Sequence, residues 1–374
     1  MIGGKGLKLH PEQVVQSSNV PLRLRKSYTK PKLQTHTVLT DDAFSYVEFF
    51  FKKHPKKVKD ENGKVIKQNY IFYWKQANNF YNAAKILPIE SSPLPMYYSM
   101  LNAMKAYILY CSENPSDALK SLNSHGLNEH NGGDANAKKD LSSIYVKKRN
   151  NGVFTYFSKM IDSDINEKWP QSSSLSVKEL MSNLSFIYNS YIATYDLKRK
   201  DERFIPLKAG SVPNFRYCND RKIHLVAEVQ RDYFKSDATS IPKEIAISLE
   251  NHFEFSSDNP FDLISKEAFK KSEISGVYSK YRKMFSFISS EKKLWYIDEN
   301  AILGNNSIPA ILCIVAITHR LSEIVRYKPE EMERLLSNKE NWLIHEFLSL
   351  ALDQFVDEIS CEITKHDIMK TRYK

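Results

Sequence analysis

The chain has 374 residues, 42% hydrophobic and 26% charged, with a formal net charge of +10. Its longest apolar run, 308–317, falls well short of the roughly 20 residues that a membrane-spanning helix needs, and the first residues lack the apolar core of a signal peptide. Cysteines 111, 218, 313 and 361 are scattered without a CxxC, which excludes a closely spaced zinc or disulfide framework and points to reduced thiols in a cytoplasm.

The charge is uneven. Residues 1–70 hold 14 Lys/Arg against 6 Asp/Glu. Residues 1–38 show little periodicity and read as a basic extended arm. Such a stretch is either a solvated tail or, through Arg23, Arg25 and Lys26, a contact for nucleic acid or another polyanion. A helix is expected over 41–53, opened by acidic residues, and 56–68 reads as a charged loop with an Asn62-Gly63 tip. Apolar residues at three- and four-residue spacing predict a second helix over 70–85.

The longest helical signal starts near Leu94, with Pro95 in its first turn, where a missing N–H costs nothing. Tyr97, Leu101, Met104, Ile108 and Cys111 form one apolar stripe, and Tyr98, Asn102 and Lys105 sit beside it. A short helix follows over 115–123 with Asn114 or Ser116 as cap, closed by Ser124-His125-Gly126 with Gly126 suited to a left-handed cap. Residues 130–139 read as a loop, 141–148 as a short strand and 154–161 as a short helix or strand. Ser176 caps a helix running to about 195. Alternation then predicts strands over 203–207, 223–229, 244–249, 253–256 and 295–297. Helices return from 308.

The fold class is therefore mainly α with a β-containing insertion (α+β). The expected division is a basic arm over 1–38, a first helical part over 39–202, the insertion over 203–300 and a C-terminal helical part over 301–374.

Few residues carry chemistry. Lys105, inside an apolar helix, either snorkels along its stem or meets an anionic ligand. His125 is either a turn histidine bonded to backbone or an acid/base and phosphate-binding group. His319, Arg320 and Arg326 interrupt the apolar helix after 308, where Arg326 also suits the helix C-terminus. The sharper reading has Lys105, His125 and Arg326 converging on a phosphate or acidic group, which requires the two chain halves to pack together. The acidic residues around 330–333 and 353–358 read as solvated helix faces, and Asp367 as exposed. Glu228-Val229-Gln230 lacks the lysine of a restriction-type metal site. No GxxxxGK[ST], GxGxxG or GxSxG occurs, so no metal and no cofactor is expected.

PMYYSMLNAMKAYILY at 95–110 followed by Ser124-His125-Gly126 resembles the YaaC-like proteins, a bacterial family without an established activity. SVKELMSNL at 176–184, HRLSEIVRYKPEEME at 319–333 and the Asn-Gly turn before Val153 add to it, over roughly 70–362. The same Tyr-Tyr, Ala-x-x-Lys-Ala helix is similar to the HEPN group of helical proteins. That resemblance implies a HEPN-like helical core assembled from both halves and helices that pair as a homodimer. It also implies a role as a ribonuclease in toxin or antiphage systems, or as an inactive binding scaffold. Active HEPN nucleases carry Arg, four to six residues, then His on one helix. Here Arg221 and His224 are too close, Arg334 and His345 too far apart, and His319-Arg320 adjacent and reversed. The expected function is a nucleic-acid-binding or protein-interaction module, within a defence or stress-response assembly. A nuclease using His125, His319 and Arg326 is the alternative, and a homodimeric scaffold the third.

Overall fold

The computed structural model describes residues 16–17, 20–21, 23–29, 37–56, 58–59, 65–66, 69–131, 140–198, 203–218, 222–228, 245–247, 252–255, 264–265, 274–290, 292, 294–302 and 307–371. Asn62-Gly63, loop positions 132–139, Arg221, positions 229–230 and most of the 1–38 arm lie outside them.

Helix α1 (Ala43–Lys53) begins where the Asp42 carboxylate accepts the Ser45 N–H at 2.9 Å, so the acidic start expected there is its cap. Helix α2 (Tyr70–Ile86) turns Trp74 inward, its indole N–H donating to the Phe44 carbonyl at 2.9 Å. Helix α3 (Pro93–Cys111) contains no glycine and keeps its prolines in the first turn. Thirteen of its 19 residues are buried. The partly exposed positions include Tyr98, Asn102 and Lys105, spaced four and three apart on one face. Ser99 ties α3 to α2 through a 2.8 Å bond to the Ala77 carbonyl.

Shorter helices follow: α4 (Pro115–Ser121, capped by Asn114), α5 (Val153–Ile161), α6 (Ile165–Lys168), α7 (Val177–Met181) and α8 (Tyr188–Thr194). After the β-rich region come α9 (Ile274–Lys283), α10 (Glu299–Ile302), α11 (Ala310–Tyr327), α12 (Pro329–Leu336) and α13 (Asn341–Thr364). α3 packs against α2 and α5 from its own half and against α11 and α13 from the other. One hydrophobic cluster therefore runs from Tyr28 to Ile363. The fold is mainly α with β elements. No helix among the described residues is long and apolar enough to cross a membrane.

The strands form small sheets, antiparallel except for the parallel pair of Val38–Leu39 with Ile368–Met369. Leu127–Asn131, Ile144–Lys148 and Ser174–Ser176 make one, beside α11. Asn214–Cys218, Lys222–Glu228, His252–Phe255 and Ile245–Ile247 make a second, and Phe285–Ile288, Leu294–Asp298 and Phe204–Pro206 a third. Ile205, Phe215, Leu225, Tyr278 and Trp295 share a separate hydrophobic cluster, which Leu24 joins.

Four expectations are corrected. The helix expected from 176 to 195 begins with Ser176 in a capping box but stops after α7, resuming as a 3₁₀ turn and α8. The buried Arg203 side chain donates to the Ser182 carbonyl at 3.1 Å and to Asn183 Oδ1 at 2.9 Å, and Ile308 N–H donates to Asn183 Oδ1 as well. Tertiary hydrogen bonds thus hold an irregular turn where local pattern favours helix.

Residues 23–29 are not a free basic arm. They lie along α9 and α13. Arg25 N–H donates to Tyr278 Oη at 2.6 Å, Lys26 N–H to Asp367 Oδ1 at 2.8 Å and Tyr28 N–H to the Glu362 carboxylate. The acidic face at 353–358 is not solvated throughout either. Asp357 and Glu358 are buried, and burial pushes the Glu358 carboxyl up to about 7. Asp367, expected to be exposed, is the buried strap's partner. The sequence hides this because the strap and its carboxylates lie at opposite ends of the chain.

Candidate functional site

The turn after α4 places His125. Gly126 has φ +86, a conformation that favours glycine, and a Cβ there would lie 2.9 Å from Thr155 N and 3.1 Å from the Gly152 carbonyl carbon. The close approach of the two backbones lets Phe154 N–H donate to the His125 carbonyl and Val153 N–H to the Ser124 carbonyl, both at 2.9 Å. The His125 backbone is therefore held by the start of α5, while its ring stays largely exposed.

That ring meets α3 and lies near α11. Tyr97 Oη lies 3.0 Å from His125 Nδ1. The Tyr97 ring contacts His319 edge-on at 4.9 Å, and the two imidazole centroids are 6.1 Å apart. Burial, then the Lys105 and Arg326 charges, lower the His125 pKa. Burial, then His125 and Arg320, push His319 down to about 3. Burial and the Glu323 charge raise the Tyr97 phenol. With the phenol protonated and the imidazole neutral, a Tyr97 O–H donating to Nδ1 leaves the His125 proton on Nε2.

The cations divide sharply. Arg320 is 4% exposed and contacts Glu129 at 3.0 Å and Glu323 at 3.2 Å. Its charge clamps the Leu127–Asn131 strand to α11 and is not open to a phosphate. Arg25 and Lys26 are likewise taken, by Asp367 at 3.4 Å and Asp357 at 2.6 Å. Arg23 is exposed and bridges Asn214 in the β-rich region, away from α3. Lys105 and Arg326 differ: among the described residues neither has a carboxylate partner. Lys105 Nζ sits 5.3 Å from the Tyr73 ring centroid, with its pKa lowered by desolvation, and Arg326 lies 5.0 Å from that of Tyr327. The charges of Lys105 and Arg326 both act on His125, and His319, two helical turns before Arg326 on α11, lies 6.1 Å from the His125 ring between centroids. Sequence reasoning singled out Lys105, His125 and Arg326 together, but it missed Tyr97 as the histidine's partner, reading it as plain core.

The His319 pKa has a consequence for stability. Its folded value lies below the roughly 6.5 of an unfolded histidine, so the unfolded chain binds the proton more tightly. The contribution is complete above about pH 6.5 and is lost as pH falls toward about 3. Urea denaturation at pH 7 and pH 4.5 is expected to show a larger stability loss in the wild type than in His319→Gln. Equal losses would remove His319 as the cause.

A second concavity of ≈ 810 Å³ lies where α1, α2, α13 and the Phe285–Asp298 hairpin meet. Its deeper carboxylates already have partners. Asp353 is held by Tyr81 at 2.6 Å and Lys85 at 3.0 Å, and Asp357 by Lys26. Among the described residues no three His, Cys, Asp or Glu side chains come together to hold a metal ion. The chemistry on offer is thus an imidazole oriented by a phenol, together with two cations that lack a carboxylate partner among the described residues, a combination that binds anions.

No curated protein and no solved structure matches the chain. The YaaC-like protein family matches over residues 37–363, so most of the chain, including α3, the His125 turn and α11, places this protein in the YaaC-like family.

Proposed function

We propose that this YaaC-like protein binds nucleic acid, through phosphates held at Lys105, His125 and Arg326. One observation carries the reading: two cations without a carboxylate partner among the described residues lie within electrostatic reach of an exposed histidine. A phosphate there gains charge-assisted contacts that displace no existing ion pair. Arg23, bridged to Asn214 in the β-rich region, and the carboxylate-paired Arg25, Lys26 and Arg320 are not part of this site. The HEPN-like helical core and a place in a bacterial defence or stress-response assembly belong to the same proposal and are supported by the resemblance of 95–110. A cytoplasmic location is supported by free thiols at Cys111, Cys313 and Cys361.

A phosphodiester-cleaving activity is the second reading, favoured by the 3.0 Å contact with Tyr97 Oη that orients the His125 ring beside two cations. A homodimeric scaffold is the third, supported by Phe49 and Phe72, which stand 58% and 57% exposed on α1 and α2.

The test is retention and cleavage of labelled RNA and DNA across a salt series. Lys105→Ala and Arg326→Ala are each expected to weaken binding across sequences and lower the magnitude of the salt slope by about one unit. Unchanged affinity and slope in both would overturn the site. Cleavage by the wild type that disappears in His125→Ala would move the assignment to the nuclease.

A further inference from the structure

We infer that the nucleic acid held at this site is single-stranded, its bases stacking on Tyr98 and Tyr327; this deepens the phosphate-binding reading and rests on it. The cationic rim is bracketed by rings. On the α2 side, Tyr98 stacks on Phe80 with centroids 5.3 Å apart and planes 26° off parallel, and both rings remain partly exposed. Tyr98 shares the exposed face of α3 with Asn102 and Lys105, so the phosphate-binding lysine and the ring lie about two helical turns apart. Its neighbour Tyr97, at 6.2 Å between centroids, carries the contact onward to His125. On the α11 side, Tyr327 stands 66% exposed beside Arg326. A ring that open buries little of its surface and stabilises the fold little, but it offers a free π-face next to a cation.

Alternating cations and rings suit a single strand. Its phosphates meet Lys105 and Arg326 while unpaired bases turn their faces to the rings, and every base has such a face. In a duplex the base faces are covered by their neighbours, so the same rings gain nothing from it. Asn102, between Tyr98 and Lys105, donates through Nδ2 to the Tyr98 carbonyl at 2.8 Å and leaves its Oδ1 as an acceptor toward the strand.

The experiment measures fluorescence anisotropy of a labelled twelve-nucleotide oligo(U), oligo(dT) and a DNA duplex with the same number of phosphates. The expected result is binding of both single strands at least about tenfold tighter than the duplex. Tyr327→Ala and Tyr98→Ala are each expected to weaken single-strand binding on the order of tenfold, with Tyr→Phe restoring it, and to leave the salt slope unchanged because no phosphate contact is lost. Tyr327→Ala keeps the test decisive if Tyr98→Ala perturbs folding, since its side chain is largely in solvent. Duplex bound as tightly as single strand, or full single-strand affinity in Tyr327→Ala, would overturn the stacking inference and leave the phosphate site standing. Absence of binding to all three probes would overturn both.

Discussion

Gly152→Ala is expected to destabilise the protein by about 3 kcal/mol or more, because strain and overpacking add at one position. Gly152 has φ +128, and a Cβ built there would stand 2.4 Å from Gly126 N and 2.5 Å from Gly126 Cα. Both are backbone atoms, so no side-chain rotation relieves the clash. The two loops must separate, and the bonds from Val153 and Phe154 to Ser124 and His125 go with them. Stability and anion binding should therefore fall together, the second through loss of the His125 position. Gly210→Ala serves as the comparison. Its φ is +82, but nothing lies within 4 Å of the added Cβ, so only the backbone strain of about 1 kcal/mol remains. Urea denaturation of the two variants checks this; equal losses would show that the contact between the loops is not what fixes the turn.

Arg203→Met is expected to cost about 3–5 kcal/mol, the usual result of removing one member of a buried ion pair. Arg203 Nε and Nη2 donate to the two Asp298 carboxylate oxygens at 2.7 and 2.8 Å, with both side chains under 8% exposed. Nη2 also reaches Asn183 and Ser307, and Nη1 the Ser182 carbonyl. This one side chain joins the start of the β-rich region, the turn that breaks α7 from α8 and the approach to α11. Without it the Asp298 charge is left buried with Ser307 as its side-chain partner among the described residues. Adding Asp298→Asn to Arg203→Met should recover part of the loss, since the uncompensated charge is gone. Chemical denaturation of the single and double variants measures the recovery. A double variant less stable than the single would mean that Asp298 is held by something other than Arg203.

Both predictions concern joints between segments distant in sequence, and such joints are what the sequence alone conveyed least. The helices were legible where packing agrees with local pattern. Three- and four-residue spacing marked α2, and a long run free of glycine with prolines in its first turn marked α3. Asp42, Asn114 and Ser176 announced their caps because capping is settled within three residues. Gly126 was readable as a left-handed position for the same reason. The helix α9 was not anticipated, although Ile274, Val277, Tyr278 and Tyr281 fall at helical spacing, because the segment is short and polar overall; Tyr278 and Arg282 are held there by the strap.

What the sequence by itself determined is the family, the mainly helical class with β elements, and the short set Lys105, His125 and Arg326 as residues worth following. Only the tertiary structure decided which cations are free. Arg25, Lys26 and Arg320 look in sequence like Lys105 and Arg326, yet the first three meet carboxylates brought from elsewhere in the chain and, among the described residues, the last two do not. Helical periodicity and caps are local and survive in the sequence. Charge neutralisation depends on carboxylates brought from distant parts of the chain, and the alignment of Tyr97 with His125 on the packing of the His125 turn against α5 and α3.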